Sequence, residues 1–584
     1  MIGTSHNRLL TLLVALPLAA LTFVLYSQTL GFGFVNWDDD VYLFEQARVQ
    51  QLSAENVLWF FTHAYYNAFI PLTMLSHMLD FQLWQSNPSG HHLTNILLHS
   101  LNTLWFFAVS LFVFSLLQAR DGDGNERTLQ PKSGTILLAT ICSTLLFAWH
   151  PLRVESVAWI SDRKDLLCTF FLLPALLAYM KYALDTTLPK RGRLYLLSLV
   201  LFGCACLAKP IAATFPIVLI FLDSILLRPG DSLVRTLRDK IPFLIVATAT
   251  AVVAATLVPD ASTADALSIL SPMQRVLLPF YNMVFYAVKN CLPTKLSPVY
   301  PTAGEHAMLA AAGAFAILTL GCFWSWMKGR KLPGLSWLVY CILLAPSVGI
   351  ASVVVQTTAD RYSYLPSTAL ALFAGGIVGQ LYTYLTDAGS RRALVATAFV
   401  VLAFLAFLNF RQQKIWKNSE RLWGATTEMY PNIALPYNNL GMALQARGAL
   451  DEAIDAYTRA LKLKPDYIEA HLNLGTAMFA KGRRTEAKRL FLQALELRPT
   501  QAEVLNNLGV LANAEGQALE AISWFQKSVA ANPNYAQGYY NLGVLYKTMG
   551  NTEASADAMQ KAAALGHRGA GEVLKSRQTD QPHP

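Results

Sequence analysis

Charged residues are scarce in this chain, and their scarcity excludes an ordinary soluble protein. They make up 14% of the 584 residues, whereas 54% are hydrophobic and the mean hydropathy is +0.36. Soluble domains contain about 25% charged residues. A chain this apolar cannot cover itself with polar surface, so it needs lipid around it. The net charge of +9 does not predict a nucleic-acid partner, because the basic residues form short clusters between apolar segments.

Cysteine is also scarce, and its spacing excludes both a zinc site and a disulfide framework. The seven cysteines lie in or beside apolar stretches. Cys204 and Cys206 are too close together for an ordinary structural zinc pair, and no second pair of ligands follows them. The cysteines therefore predict no metal centre.

Apolar runs near the ~20 residues that a spanning helix needs fill the N-terminal part of the chain. Up to twelve runs begin near Leu9, Leu93, Thr135, Leu166, Leu194, Ile211, Ile241, Arg275, Ala307, Leu335, Tyr364 and Ala393. We interpret the first run, 9–30, as an uncleaved membrane helix. A signal peptide is the alternative, but the run has a weak basic start and no clean cleavage site.

Basic clusters between the runs predict their orientation. These clusters lie at 181–193, 228–240, 328–331 and 391–392, and the positive-inside rule places all four in the cytoplasm. Three runs separate the second cluster from the third, so one of the three cannot cross. We assign this role to 275–292, whose polar residues and Pro279 favour an interfacial or re-entrant helix. About eleven spans remain. They predict a protein of the cytoplasmic (inner) membrane, with its N-terminus in the cytoplasm and everything after Phe410 external.

A 34-residue repeat dominates the C-terminal part. Its Leu-Gly pairs are Leu440-Gly441, Leu474-Gly475, Leu508-Gly509 and Leu542-Gly543. Alanine, aromatic and proline columns keep the same register and degrade only in the fourth repeat, as in a terminal cap. This is the tetratricopeptide signature, and it predicts helix pairs stacked into an α-solenoid. We therefore predict an all-α chain: a polytopic membrane helix bundle at 1–410, a linker at 411–433, four repeats at 434–569 and a polar tail at 570–584.

An asparagine column lies two residues before each repeat glycine. Its members are Asn439, Asn473, Asn507 and Asn541. In a tetratricopeptide unit this column lies on the first helix and faces the concave groove. Because an amide both donates and accepts, the ladder could bind the backbone of a polypeptide acceptor without reading its sequence. The alternative is that each asparagine only satisfies local groups between helices.

The membrane half carries its first polar candidates at 34–40, just after the first run. Asp38, Asp39 and Asp40 are adjacent carboxylates, which repel one another and raise at least one pKa. A solvated acidic turn is the alternative. The position at the predicted outer surface favours a general base or a cation site.

A second group shares one face of a helix. His92, Asn95 and His99 are spaced i, i+3 and i+7. Such a stripe can pack one helix on another through hydrogen bonds. A metal site is the alternative, but one face of one helix is not enough to claim it.

Cations on the predicted outer side run against the positive-inside rule and need a reason. They are Arg153, Arg163, Lys164, Lys209 and Arg361, with Tyr362 beside the last. Acidic residues accompany them at Glu155 and Asp165. Several cations on one face of the membrane predict an anionic ligand, and a lipid-linked phosphate would supply one.

These motifs resemble the transmembrane and tetratricopeptide repeat-containing O-mannosyltransferases, in particular their bacterial relatives. The matching segments are 34–40, 71–80, 91–99, 150–159, 163–165, 209–210 and 359–362, followed by Trp416. The sequence departs from the pattern at Ile70, where His or Arg is usual, and at Met74, where Trp is common.

The resemblance implies a C-type glycosyltransferase fold. It also implies transfer of a sugar, expected to be mannose, from a polyprenyl-phosphate donor to Ser or Thr hydroxyls of exported proteins. The implied site comprises the catalytic candidates Asp38, Asp39 and Glu155, the phosphate-binding candidates Arg163, Lys164, Lys209, Arg361 and Tyr362, and the pocket residues His92, Asn95, His99 and Asp165. A divalent metal could assist, but the sequence does not require one and assigns it no ligand. An envelope assembly scaffold and a transporter or polymerase of lipid-linked glycans are the rival functions.

Overall fold

The chain is helical throughout the part that its computed structural model describes, namely residues 5–66, 68–121, 133–184, 191–258, 270–348 and 356–579. These residues contain no β-strand, only an isolated bridge between Tyr65 and Ala68. The all-α prediction is confirmed. The chain forms two compact units, Met1–Arg421 and Leu422–Pro584. Their boundary falls inside the predicted linker, 411–433, which contains the helix Ser419–Met429.

The first unit is built from apolar helices joined by short turns. Its helices are Ser5–Tyr26, Ala54–Thr62, Pro71–Trp84, Pro88–Asp121, Ser133–Ala148, Val154–Ala158, Arg163–Leu184, Arg191–Ala208, Phe215–Leu222, Leu233–Arg238, Ile241–Leu257, Pro272–Cys291, Glu305–Met327, Lys331–Leu344, Ser367–Tyr384 and Ala388–Gln413. Proline opens several of them, as at Pro71 and Pro272. It is tolerated there because the first N–H of a helix has no partner inside the helix.

Seven helical stretches in the described residues are long and apolar enough to cross a membrane, and a bent pair, Gly134–Ala148 with Pro151–Ala158, would make eight. Two further apolar helices, Ile241–Leu257 and Lys331–Ser347, are shorter. The chain is therefore a multi-pass membrane protein. The helix Pro272–Cys291, at the predicted interfacial segment, is not among the seven. The predicted count of about eleven spans and their orientation stay predictions.

The segments that carry the predicted functional motifs meet at one end of the first unit. Asp39, from the first loop, accepts a hydrogen bond from the backbone of Ser161 at 3.0 Å. Thr73 donates one to the carbonyl of Ala208, next to Lys209, also at 3.0 Å. Residues far apart in the chain therefore share one site at this end.

Basic residues gather at the opposite end. The helix Arg163–Leu184 begins at the motif end and leads to this second cluster. There Arg228 lies 2.8 Å from Asp239, and Lys240 lies 2.5 Å from the buried Asp223. The separation of motifs from basic clusters is the arrangement that the charge pattern predicts.

The loop after the first helix folds into a small helical subdomain at the motif end. Its helices, Ala54–Thr62 and Pro71–Trp84, enclose an apolar cluster that also takes in Tyr42 and Ile160. Ile70 and Met74, where the sequence departs from the family pattern, are 3% and 1% exposed in this cluster. Both residues therefore pack the core of the subdomain.

The second unit is a solenoid of helix pairs. The repeats comprise Ala434–Ala446 with Leu450–Leu463, Ile468–Ala480 with Arg484–Leu497, Ala502–Ala514 with Ala518–Ala531, and Ala536–Thr548 with Thr552–Ala564, followed by Arg568–Thr579. Within a repeat, the recurring spacing places glycine against an aromatic ring: a Cβ added at Gly475 would lie 2.5 Å from the Phe491 ring. The same contact joins Gly441 to Tyr457. The 34-residue pattern thus specifies how the two helices of each repeat pack against each other.

We expect Gly475→Ala to destabilise the repeats by about 1–3 kcal/mol, because the added methyl group overpacks the contact with Phe491. Chemical denaturation of the segment 422–584 measures this. Gly424→Ala is the control: nothing lies within 4 Å of its added Cβ, and alanine favours a helix. An unchanged denaturation midpoint for Gly475→Ala would show that the two helices can move apart to fit the methyl group at no cost in stability.

Candidate active site

Asp39 is held in place by three hydrogen bonds. One oxygen accepts from the backbone and the hydroxyl of Ser161, at 3.0 and 2.5 Å, and the other accepts from the backbone of Val35 at 3.0 Å. The side chain is 1% exposed. Burial raises the pKa of Asp39 to about 6, although these hydrogen bonds lower it. With its acceptor sites occupied, Asp39 ties the first loop to the segment before Arg163.

Asp38 is placed differently, because its carboxyl group is half-buried and close to cations. Burial raises the pKa of Asp38 to about 7; Lys164 and Arg361 oppose the rise, while Asp39 and Asp40 add to it. The hydroxyl of Tyr66 lies within hydrogen-bonding reach. A carboxylate that titrates near neutral pH is suited to act as a general base.

Two of the predicted phosphate-binding cations, Lys164 and Arg361, lie near this carboxylate, and a third, Lys209, belongs to the same cluster through Tyr42. Arg361 pairs with Glu155 at 2.6 Å, and Lys209 pairs with Asp165 at 2.6 Å. Lys164 is half-buried, with its ammonium over the Tyr42 ring at 5.3 Å and over the Trp159 ring at 5.7 Å.

Arg361 is held by more than its ion pair. It donates to Gln356 at 2.9 Å and lies 5.2 Å from the centre of the Trp159 ring. The Tyr362 ring, 5.0 Å from the same guanidinium, covers it from another side. Tyr362 thus positions Arg361.

The predicted site residues do not include Tyr42 or Asp162, although both belong to this cluster. Burial raises the pKa of Tyr42; Asp38 and Asp162 raise it further, and Arg361 and Lys209 lower it. The Tyr42 side chain therefore lies among carboxylates and cations from four segments. The i, i+3 spacing of Asp162 and Asp165 is the signal that could have drawn attention to Asp162.

Arg163 makes its described ion pair and hydrogen bonds with residues outside this cluster, and its role in binding the donor phosphate stays a prediction. It is fully buried and lies 2.5 Å from Asp80. It also donates to Asn95 at 2.7 Å and to the carbonyls of Ser76 and His91. Because moving it would break this network, Arg163 secures the helices around the site.

The stripe on the helix Pro88–Asp121 is buried. Asn95 donates to the carbonyl of Trp159 at 3.2 Å, and His99 bonds the hydroxyl of Tyr364 at 2.6 Å. His92 is 1% exposed, with its ring edge-on to Phe32. These contacts hold the loops that carry the cluster, and none of the contacts described for the three residues is with Asp38.

In the repeats, the asparagine column bonds from one repeat to the next. Asn473 donates to Asn438 at 3.0 Å, and Asn541 donates to Asn506 at 2.8 Å. Asn507 donates to Thr476 at 3.2 Å. Asn439, in the first repeat, is the exception: it is buried, and it accepts from its chain neighbour Asn438 at 3.2 Å. Asn473, Asn507 and Asn541 remain half-exposed, so each amide has surface left for a ligand.

Comparison with known proteins supports the resemblance seen in the motifs. Protein O-mannosyl-transferase Tmtc3 of Drosophila melanogaster is 24% identical over 474 residues, covering 70% of this chain and 50% of that protein. Human protein O-mannosyl-transferase TMTC1 is 27% identical over 460 residues, covering 69% and 49%. This chain is similar in sequence to the protein O-mannosyl-transferases. The predicted family resemblance is thereby confirmed.

The relation to the O-mannosyl-transferases is distant and partial. The chain spans about half the length of the curated relatives it matches. A shorter segment of 122 residues is 34% identical to mouse protein O-mannosyl-transferase TMTC4, covering 21% of this chain and 16% of that protein. Tetratricopeptide repeat models match 441–482, 472–536 and 524–556, which confirms the repeats.

Proposed function

We propose that this chain is a membrane glycosyltransferase that moves a sugar, most simply mannose, from a polyprenyl-phosphate donor to Ser or Thr hydroxyls of exported proteins. One observation carries the proposal: a half-buried carboxylate with a pKa near 7, Asp38, lies beside two cations, Lys164 and Arg361, at one end of a membrane helix bundle. The relation to the protein O-mannosyl-transferases supports it.

The proposed reaction divides its charges between Asp38 and the cations. The carboxylate of Asp38 takes the proton of the acceptor hydroxyl while the hydroxyl oxygen attacks the anomeric carbon. The bond from that carbon to the donor phosphate breaks, and the lipid leaves as a phosphate monoester with one more negative charge. Lys164, Lys209 and Arg361 would stabilise this charge, which develops only as the bond breaks.

An apolar cavity supports a lipid-linked donor over a soluble one. Its volume is about 80 Å³, and its lining includes Leu172, Phe215 and Leu365. These residues follow Asp165, Lys209 and Arg361, respectively, along the chain. The segments that hold the carboxylates and cations thus continue into an apolar space, which suits the prenyl chain of a lipid phosphate.

Sugar transfer by the purified chain in lipid nanodiscs tests the proposal, with radiolabelled polyprenyl-phosphate mannose as donor and a Ser/Thr-rich peptide as acceptor. Labelled peptide is the expected product. Passage of the lipid-linked sugar across the membrane without transfer would favour a transporter. A chain that neither binds the lipid nor transfers sugar would favour a scaffold.

The repeats are proposed to bind the acceptor polypeptide, as tetratricopeptide arrays bind other proteins. We expect Asn473→Ala to weaken transfer to protein acceptors several-fold and to leave transfer to a short peptide unchanged, because only the long acceptor needs the groove. Asn438→Ala is the matched control. It removes the same 3.0 Å hydrogen bond between repeats but leaves the Asn473 amide in place. Equal losses in the two variants would assign the ladder to repeat stability.

The proposed orientation places the repeats outside the cytoplasmic membrane, on the side of the active site. In a Cys291→Ser background, which removes the exposed native cysteine, we expect Glu515→Cys to react with an impermeant thiol reagent in cells with a permeabilised outer membrane. We expect Arg392→Cys, from a predicted cytoplasmic cluster, to react only after lysis. Mass spectrometry of the labelled protein reports both sites, and the reverse pattern would invert the topology.

A further inference from the structure

Asp162 is a buried carboxylate without a hydrogen-bond donor or a paired cation among the described residues. It is 0% exposed, and neither of its oxygens has a hydrogen-bond partner in the described residues. The carboxyl group of Asp165 lies within hydrogen-bonding reach. One oxygen of Asp165 also lacks a hydrogen-bond partner there, while the other contacts Lys209 at 2.6 Å.

Such an arrangement is unfavourable unless something else binds to it. A buried carboxylate without donor or cation is costly, and a second carboxylate beside it adds repulsion. Lys209 matches the charge of one carboxylate only. Arg361, the other nearby cation, is already paired with Glu155. The cluster therefore needs one more positive species.

We propose that Asp162 and Asp165 bind one divalent cation of the magnesium or manganese class, completed by water and by the phosphate of the lipid-linked donor. This inference rests on the proposed function. Hard divalent cations prefer oxygen ligands, and magnesium in particular is often held by one or two carboxylates together with a substrate phosphate. Such a site contains fewer protein ligands than a preformed metal centre. This agrees with the described residues, where no group of three or more His, Cys, Asp or Glu could hold a metal ion.

The charges favour binding of the cation together with the donor. Asp162, Asp165 and Lys209 carry one net negative charge when all are ionised. A divalent cation makes this one positive charge, and the single charge of a phosphodiester brings it to zero. The position fits as well, since Asp162 lies close enough to interact electrostatically with Tyr42, Glu155 and Arg361.

Manganese binding to the full chain in nanodiscs tests the proposal. Electron paramagnetic resonance of free Mn²⁺ measures binding with and without polyprenyl monophosphate in the membrane. We expect one Mn²⁺ per chain when the lipid phosphate is present, and at least tenfold weaker binding in Asp162→Asn and in Asp165→Asn. The control is Asp231→Asn, at the opposite end of the bundle, which should bind as the wild type does. Thermal unfolding establishes that each variant is folded, and Asp162→Glu, which keeps the carboxylate, should retain binding.

The results separate this inference from the proposed function. Equal Mn²⁺ binding in Asp162→Asn and the wild type, or no binding with lipid phosphate present, would overturn the site. Sugar transfer that persists in a chelator without Mn²⁺ binding would refute the metal and keep the function. Mn²⁺ binding that depends on Asp162, in a chain that transfers no sugar, would keep the metal site and refute the proposed function.

Discussion

Asp38→Asn is expected to lower sugar transfer by about 10²–10⁴-fold, the usual effect of removing a general base. The amide cannot take the proton of the acceptor hydroxyl, yet its shape matches the carboxyl group. Wild-type transfer should rise with pH through about 7, since the base works only when ionised. Initial rates at saturating donor across pH 5 to 9 measure both effects, and the residual rate of the variant should not show this rise.

The folded state of Asp38→Asn should be at least as stable as the wild type at pH 8. The folded pKa of Asp38 is raised above the ordinary aspartate value of 3.8, so the folded chain binds this proton more tightly than the unfolded chain. Stability is then lost as the pH rises from about 4 to about 7. An uncharged Asn removes this loss. Thermal unfolding at pH 5 and at pH 8 reports the difference.

Two neighbouring carboxylates serve as comparisons for Asp38. Asp40 accepts only a hydrogen bond from the backbone of Val41 in the described contacts, which Asn can also accept, so Asp40→Asn should transfer within about twofold of wild type. Asp39→Asn turns an NH₂ group towards Ser161 or Val35 and should cost about 1–3 kcal/mol of stability. Full activity in Asp38→Asn, or normal stability in Asp39→Asn, would reverse the roles of the two residues.

Arg361→Ala is expected to lower sugar transfer by about 10²–10³-fold and also to destabilise the first unit. Removal of a group that stabilises transition-state charge costs about 10²–10³-fold in rate. Glu155, 2% exposed, would lose the cation that lies 2.6 Å away. Breaking a buried ion pair from one side costs about 3–5 kcal/mol.

A double variant separates catalysis from folding at this pair. Glu155→Leu with Arg361→Met replaces both charges by apolar side chains, which is often neutral for stability. We expect its unfolding temperature to return towards the wild type while transfer stays low. Arg235→Ala, which breaks a surface ion pair with Asp231 at the opposite end of the first unit, should change neither quantity measurably. Recovery of transfer in the double variant would exclude Arg361 from leaving-group stabilisation.

The positions of charged residues along the chain predicted which segments form the candidate site, but not which of their side chains lie in it. The charge pattern predicted that the acidic first loop and the cations of 150–165, 209 and 361 would meet at one end of the bundle, and these segments do meet there. It could not separate Arg163 from Lys164, which are adjacent in sequence. Arg163 turns to Asp80, whereas Lys164 lies over Tyr42 and Trp159. Their partners come from segments whose relative placement depends on how the first-loop subdomain packs.

The sequence by itself determined the membrane helices, the 34-residue solenoid and the family resemblance, because each rests on a local period or on residues close together in the chain. Only the tertiary structure decided which carboxylate is free to act. Asp38 and Asp39 are neighbours, but Ser161 and Val35 bind Asp39 and leave Asp38 beside Lys164 and Arg361. It also brought Asp162 and Asp165 together without enough positive charge around them. Burial and long-range contacts set these charge states, and neither follows from spacing along the chain.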